Sequence, residues 1–347
     1  MSLLQPVVRA AETFSLRGGA EAPRKLKLAS LEESKQETRR WARRSLLKVL
    51  PAVGLLAACG GKSSKIRLAL NWKPDPEFGG FYAADYAKHG LDVEILPGGA
   101  GTPTVQMIGA GTADFGIVSA DEILTARAQG NDVVGLFAVF QNNPMGIMVR
   151  ASRKLKSLEE VVKSDGTLAI QSGLPYARML KKTYGFDNVK IVPSPGGDLT
   201  AFLNDEKFAM QCFMMDEPLH AKRKGVEVTV FPVSDVGYNP YTTVLALSGA
   251  LLKKGVDMPK SMVDAVREGW RAYQDNPATA NEKMHALNPT IEAANYAETA
   301  GAQKGLIEAE PLGKMTKERW EKLAGQLREL GDIPNGSAAV EECFRNL

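Results

Sequence analysis

Short apolar runs alternate with amphipathic stretches through most of this 347-residue chain. Runs bounded by Gly, Pro or Asp read as strands, and apolar positions three and four apart read as helices. On this basis strands are predicted at 66–71, 91–96, 113–118 and 133–140. Between them a helix is predicted over 79–89, with Phe81, Ala84, Tyr86 and Ala87 among its apolar positions. Thr102-Pro103 has the form of an N-cap followed by a first-turn proline, opening a helix to about 108. Ser119-Ala120-Asp121-Glu122 is a capping box that opens a helix to about 129. A second unit starts at the capping box Ser157-Leu158-Glu159-Glu160. Its strands are predicted at 167–171, 189–192, 208–214 and 226–231, with helices at 175–184, 199–204 and 217–223. A strand-like run at 241–247 precedes a helical tail. In that tail Met262, Val263, Val266, Trp270 and Tyr273 line one helix face, and Trp320, Leu323, Leu327 and Leu330 line another that Gly331 ends.

This alternation predicts an α/β protein with mostly parallel sheets. A tail without strands cannot build a sheet, so it is expected to pack back onto the first unit. The predicted plan is a leader over 1–58, the first part of one lobe over 59–150, a second lobe over 151–245, and a helical return to the first lobe over 246–347. The chain then crosses between lobes near 145–155 and 240–250. No sequence repeat is visible.

The leader has its own pattern. Arg43-Arg44-Ser45-Leu46-Leu47-Lys48 precedes an apolar run ending in Leu56-Ala57-Ala58-Cys59-Gly60. The run is shorter than the ~20 residues a bilayer span needs, and Pro51 and Gly54 make it a poor core helix. Basic residues, a short apolar segment and then small residues form the layout of an export signal. Leu-Ala-Ala-Cys resembles the lipobox of bacterial lipoproteins, which implies Cys59 as a lipidated mature N-terminus. The paired arginines resemble the signal of the twin-arginine route. The expected location is therefore the periplasm or the outer face of the cytoplasmic membrane.

Charge changes once the leader is set aside. Residues 1–59 carry eleven of the 43 Lys/Arg and five of the 40 Asp/Glu, leaving 32 against 35 and a net charge near −3. A nucleic-acid role loses its compositional support. Cys59, Cys212 and Cys343 are the three cysteines. No CxxC or Cys/His spacing suggests zinc, and His89, His220 and His285 are scattered. No cofactor is expected. Cys212 sits in an apolar run, which favours a buried free thiol over a disulfide.

Residues 70–84, Leu-Asn-Trp-Lys-Pro-Asp-Pro-Glu-Phe-Gly-Gly-Phe-Tyr-Ala-Ala, resemble the opening of a family of ABC-transporter substrate-binding proteins. That family is related to thiamine-pyrimidine binding proteins and the fungal pyrimidine synthase. Asp92-Val93-Glu94-Ile95, Gly98-Gly99-Ala100-Gly101, Gly111-Thr112-Ala113-Asp114-Phe115-Gly116 and Asp216-Glu217-Pro218 extend the resemblance over about 65–275. It implies the two-lobed periplasmic-binding-protein fold of type II, with a ligand cleft between two sheets. It also implies a small-molecule ligand, an ABC permease and ATPase as partners, and a monomer held at the membrane by its lipid.

In open α/β sheets ligands sit beyond the carboxyl ends of strands. Trp72, Gly98, Ser119, Gln171 and Asp216 fall there. Trp72, in a Pro-flanked turn, is a candidate stacking platform, with a core tryptophan as the alternative. Glu77 and Tyr82 of the same motif are candidate contacts. Gly98, Gly99 and Thr102 form either an anion-binding backbone or an ordinary tight turn. Ser119 and Asp121 either contact ligand or only open a helix. Gln171 and Ser172 open a helix in lobe two. The resemblance implies Glu217 as a contact, although an acidic residue at a helix start satisfies the dipole without a ligand. Tyr238 and Tyr241 flank a crossover and are candidates to close over the site. Met210, Met214 and Met215 read as core filling.

The family's thiamine-pyrimidine members carry a His where this chain has Pro76-Glu77-Phe78. The fungal enzyme's Cys-rich run is replaced by Gln211-Cys212-Phe213-Met214-Met215. The enzyme chemistry is therefore not expected here. The expected function is extracytoplasmic binding of a planar heterocyclic or anionic molecule, with a thiamine-pyrimidine precursor or related compound as the implied example. An enzyme of the same fold, acting in pyrimidine or menaquinone synthesis, and a receptor presenting ligand to a membrane sensor are the alternatives.

Overall fold

The computed structural model describes residues 65–194, 196–336 and 339–347. The export signal and the Cys59 site lie outside the described residues. Ten strands among the described residues form two sheets of five. The first contains β1 (Ile66–Ala69), β2 (Val93–Leu96), β3 (Phe115–Val118), β4 (Val133–Phe140) and β10 (Thr242–Ser248), in the order β2-β1-β3-β10-β4. The second contains β5 (Met145–Arg150), β6 (Gly166–Ala169), β7 (Val189–Val192), β8 (Phe208–Phe213) and β9 (Val228–Pro232), in the order β7-β6-β8-β5-β9. Each sheet with its flanking helices is a lobe.

The two sheets share one plan. β1 pairs in parallel with β2 and β3, and β10 runs antiparallel between β3 and β4. β6 pairs in parallel with β7 and β8, and β5 runs antiparallel between β8 and β9. Each sheet therefore takes its single antiparallel strand from chain that has just crossed over from the other. The sheets are mixed for this reason. The chain leaves the first sheet after Phe140 and enters the second at Met145; it leaves the short turn Val233–Val236 and re-enters the first sheet at Thr242. β5 was not among the strands predicted from the pattern. Its partners β8 and β9 lie far along the chain, so no local alternation announces it.

The predicted helix over 79–89 is broken. A helix covers Gly79–Ala83, Ala84 is extended, and a 3-10 turn covers Ala87–His89. The Asp85 carboxylate accepts the Lys88 N–H at 3.2 Å and starts that new turn. Thr102 is also not a helix cap. Its hydroxyl closes a turn on Gly99, and the helix begins at Thr104. The Ser119 capping box is present, with the Glu122 carboxylate accepting the Ser119 N–H at 2.7 Å.

The helical tail packs on both lobes. Helix Asp257–Asp275 buries Met262, Val263, Val266, Trp270 and Tyr273, and it lies against Gly79–Ala83. Glycines make this approach possible. A Cβ on Gly80 would sit 2.2 Å from the Trp270 ring, and one on Gly79 would sit 2.1 Å from Tyr273. Phe81, Trp270 and Tyr273 then meet edge to face, with centroids 6.0 and 5.7 Å apart. Helix Lys317–Glu329 buries Trp320, Leu323 and Leu327. These residues join one apolar cluster that runs from Ile123 and Leu124 of the first lobe to Tyr176 and Leu180 of the second.

The same helix ties the two crossovers together. The Arg319 guanidinium donates to the Asn239 carbonyl at 2.6 Å, the Asn239 side chain at 2.9 Å and the Pro240 carbonyl at 2.9 Å, all in the second crossover. It also donates to the Gln141 carbonyl in the first. Its Cζ lies 3.9 Å from the Tyr241 ring centroid. The Asn143 N–H donates to Asn239 Oδ1 at 2.8 Å, so the crossovers also touch directly. Thr243, at the start of β10, has φ 51°, a left-handed conformation that a β-branched residue rarely adopts.

Candidate functional site

A cleft of about 830 Å³ opens between the lobes. Its walls come from loops that follow strands, as open α/β sheets place their ligand sites. The loop after β1 supplies Asn71, Trp72, Lys73, Asp75 and Glu77, and the loop after β3 supplies Ser119, Asp121 and Glu122. From the second lobe come Gln171 after β6, Ser194, Gly196, Gly197 and Asp198 after β7, and Asp216, Glu217 and His220 after β8. The second crossover adds Tyr238, Pro240, Thr242 and Thr243, and the tail adds Asn288 and Asn295.

Trp72 is half-buried and packs against the first lobe's core with one part of its ring. Across the cleft runs the loop holding Gly196 and Gly197, with φ of 63° and 96°. A Cβ on Gly196 would lie 4.0 Å from Trp72 Cη2, and one on Gly197 would lie 3.7 Å from Glu217 Oε1. Two glycines in left-handed conformations thus bring bare backbone up to the indole and the carboxylate. No motif in the sequence marks this loop as part of a site.

Four carboxyl groups gather from both lobes. Asp75 and Glu77 come from the first, Asp216 and Glu217 from the second. The Asp75 carboxylate caps its own turn by accepting the Glu77 N–H at 2.9 Å. Burial and then its acidic neighbours raise its proton affinity well above the ordinary aspartate range. Glu77, 6% exposed, is pushed up to about 8 by burial, then by the negative charges of Asp216 and Glu217. Glu217 is pushed up to about 7 by burial and then Asp216, although its Oε2 accepts the Phe213 N–H at 2.7 Å. Asp216 accepts from Thr299 Oγ1 at 3.2 Å and pairs with His220 Nε2 at 3.1 Å. Asn295 on the tail contacts His220 in turn, while its Oδ1 has no hydrogen-bond partner. Arg223 pairs with Glu298 at 3.1 Å and Lys224 with Glu292 at 3.7 Å, so helix Ala293–Ala302 and the residue before it link the tail to the second lobe beside the cleft.

On the other side Asp121 is half-buried, and desolvation raises its proton affinity despite stabilising contacts from Ser119 and Tyr238. The Ser119 hydroxyl donates to Glu122 at 3.0 Å. In the second lobe Gln211 Oε1 accepts from the Gln171 N–H at 2.7 Å and the Tyr176 hydroxyl at 2.6 Å.

Of the residues singled out from the sequence, Trp72, Glu77, Ser119, Asp121, Gln171, Asp216, Glu217 and Tyr238 line the cleft. Six others do not. The Gly98 N–H donates to the Trp72 carbonyl at 3.0 Å, and a Cβ there would lie 2.1 Å from the Leu70 carbonyl oxygen. Gly98 therefore seats the Trp72 loop. The Gly99 N–H donates to Thr102 Oγ1 at 2.8 Å and the Thr102 N–H to the Gly99 carbonyl at 3.1 Å, so these two donors are engaged within their own turn. Tyr82 is buried behind Asp75, whose charge, after burial, helps push its phenol up to about 12. Ser172 is exposed beside Gln171 and outside the wall. Tyr241 is 2% exposed, with its hydroxyl accepting the Thr316 N–H at 3.0 Å, which makes it part of the crossover clamp. Asp75, His220 and Asn295 line the cleft without having been singled out as contacts. Asp75 sits within the opening motif and was within reach of sequence reasoning; Asn295 carries no local signal. Cys212 and Cys343 are buried free thiols, and no cluster among the described residues has the make-up of a metal site.

Residues 75–280 match the NMT1/THI5-like family. The chain belongs to that family. The matched span begins at Asp75, within the cleft's carboxyl cluster, and takes in the whole second lobe. A riboflavin-binding protein of Chloroflexus aurantiacus is 25% identical over 309 residues, covering 81% of this chain and 85% of that protein. A 4-amino-5-hydroxymethyl-2-methylpyrimidine phosphate synthase of Legionella pneumophila is 24% identical over 109 residues, 30% of this chain and 34% of the enzyme. The periplasmic aliphatic sulphonate binding protein of Escherichia coli superposes with a TM-score of 0.61 at 14% identity, covering 82% of this chain and 94% of that one. The fold is thus the type II fold of the solute-binding components of ABC importers.

Proposed function

We propose that this NMT1/THI5-like protein is an extracytoplasmic solute receptor that carries a small planar molecule to an ABC permease. The observation that carries the reading is the cleft of about 830 Å³, walled by side chains from both lobes and flanked by the two crossovers. Ligand touching both walls favours the closed arrangement by as much as it prefers it over the open one. The likeness to a riboflavin-binding protein supports a planar ligand, and Trp72 is the stacking surface for it. A thiamine-pyrimidine precursor or another flat heterocycle fits this reading. The protein would act as a monomer, tethered through lipid on Cys59 and exported by the twin-arginine route.

Small-angle scattering is the test. Small molecules extracted from the producing cells should make the purified protein more compact and raise its melting temperature. Mass spectrometry of what the denatured protein releases identifies the ligand. Tight binding without compaction refutes the hinge mechanism.

A second reading, an enzyme, draws on the carboxyls that hold protons near neutrality, as a general acid must. The likeness to a synthase that supports it covers 30% of the chain. Recovery of the ligand chemically unchanged after prolonged incubation with the protein refutes this second reading.

A further inference from the structure

Acceptors and donors are unevenly matched in the cleft. Four carboxyl groups converge there from both lobes, and three of the four basic side chains that line the cleft are already paired. Arg223 holds Glu298 at 3.1 Å, Lys224 holds Glu292 at 3.7 Å, and His220 holds Asp216 at 3.1 Å. Lys73 is exposed. Glu77 is 6% exposed and forms no ion pair among the described residues, while Asp216 and Glu217 face it with like charge. Asn295 Oδ1, on a residue 5% exposed and from a different element, lines the same cleft and also lacks a donor. A buried acceptor without a donor forfeits roughly 1–3 kcal/mol, and buried like charges repel. Both deficits are answered by a ligand that brings N–H groups and positive charge. An anion worsens both. The indole of Trp72 adds a face on which a flat cation gains further attraction.

We propose that the cleft takes a planar cation whose N–H donors reach Glu77 from the first lobe and Glu217 from the second, and that it rejects anions. The proposal rests on the solute-receptor reading and adds the charge of the ligand. Glu217 is held for this role, since the Phe213 N–H fixes one of its oxygens and leaves the other toward the Gly197 loop. A cation bridging the two carboxylates would draw the lobes together. The sulphonate-binding fold would then have been turned to a ligand of opposite charge.

Three flat probes of nearly equal shape test this: benzamidinium, benzamide and benzoate. Calorimetric titration and thermal shift at millimolar concentration should show binding in that order, with benzoate not binding. Glu77→Gln and Glu217→Gln should each weaken benzamidinium roughly tenfold or more, toward the affinity of benzamide. Glu77→Gln removes repulsion, so the unliganded variant should melt higher than wild type and its loss of binding is not a folding defect. Tighter binding of benzoate, no binding of benzamidinium, or benzamidinium affinity unchanged in both variants overturns the proposal. Scattering with the cell extract, run in parallel, separates the two readings. Compaction with extract but not with benzamidinium removes the charge assignment and keeps the receptor. No compaction with either removes both.

Discussion

The carboxyl cluster makes the unliganded protein sensitive to pH in a direction opposite to ordinary acid denaturation. Glu77 is pushed up to about 8 from an ordinary 4.5. Below about pH 4.5 the folded and unfolded chains both hold this proton, and Glu77 has no effect on stability. As pH rises, the unfolded chain releases the proton first while the folded chain keeps it. The folded state then binds more protons, so stability falls with rising pH. The loss is complete once pH exceeds the folded value near 8. Each tenfold change in proton affinity is worth ~1.4 kcal/mol, so Glu77 removes about 3–4 kcal/mol between about pH 5 and pH 8. For a chain of this size that is a fall of roughly 6–10 °C in melting temperature. Glu217, pushed up to about 7, acts in the same direction, and Asp75, Asp216 and the paired His220 share the field. Glu77→Gln is nearly isosteric and cannot ionise. Calorimetric melting of wild type and Glu77→Gln across this range should give curves that meet near pH 5 and diverge toward pH 8, with the variant higher. Parallel curves would show that Glu77 does not sit in a buried acidic field and would refute the reasoning.

Three further outcomes are expected. Gly80→Ala places a methyl 2.2 Å from the Trp270 ring, which should cost about 1–3 kcal/mol by overpacking and show as a lower denaturant midpoint with an unchanged slope. Arg319→Met leaves the Asn239, Pro240 and Gln141 carbonyls short of a donor; a loss of roughly 2–3 kcal/mol and faster amide exchange at 141–145 and 237–242 should follow, and unchanged exchange there contradicts the clamp. Cys59→Ser should abolish lipid labelling and release the protein from membranes, and a wild-type protein that keeps residues 1–58 in solution contradicts the anchor.

What the sequence disclosed depended on distance along the chain. The Ser119–Glu122 capping box, the strand pattern and the strandless tail are local or periodic signals, and the α/β plan could be read from them. β5 could not, because Met145–Arg150 becomes a strand through β8 and β9, which lie beyond residue 200. Trp72 and Glu77 were visible inside one motif. Their setting was not, since Asp216, Glu217 and the Gly196–Gly197 loop reach them only through folding. Gly98, Gly99 and Thr102 left two readings open because a turn that supports a site and a turn that forms one share a composition. Arg319 had no signal: its partners near 141 and 239 are meaningful only as crossovers.

The strand order also sets when each half can be finished. Every strand of the second sheet lies between Met145 and Pro232, so that sheet is complete once the ribosome has delivered one continuous stretch. In the first sheet, among the described residues, β4 pairs with one strand, β10, and meets the chain's last residues at a single bridge from Gly135 to Phe344. Until residue 248 has emerged, β3 and β4 each present an unpaired edge, and the Arg319 clamp arrives later still. Newly made chains therefore pass through a period with one finished lobe and one open edge of the kind that invites pairing with other chains. The cell has to keep that edge covered until the last helices are in place.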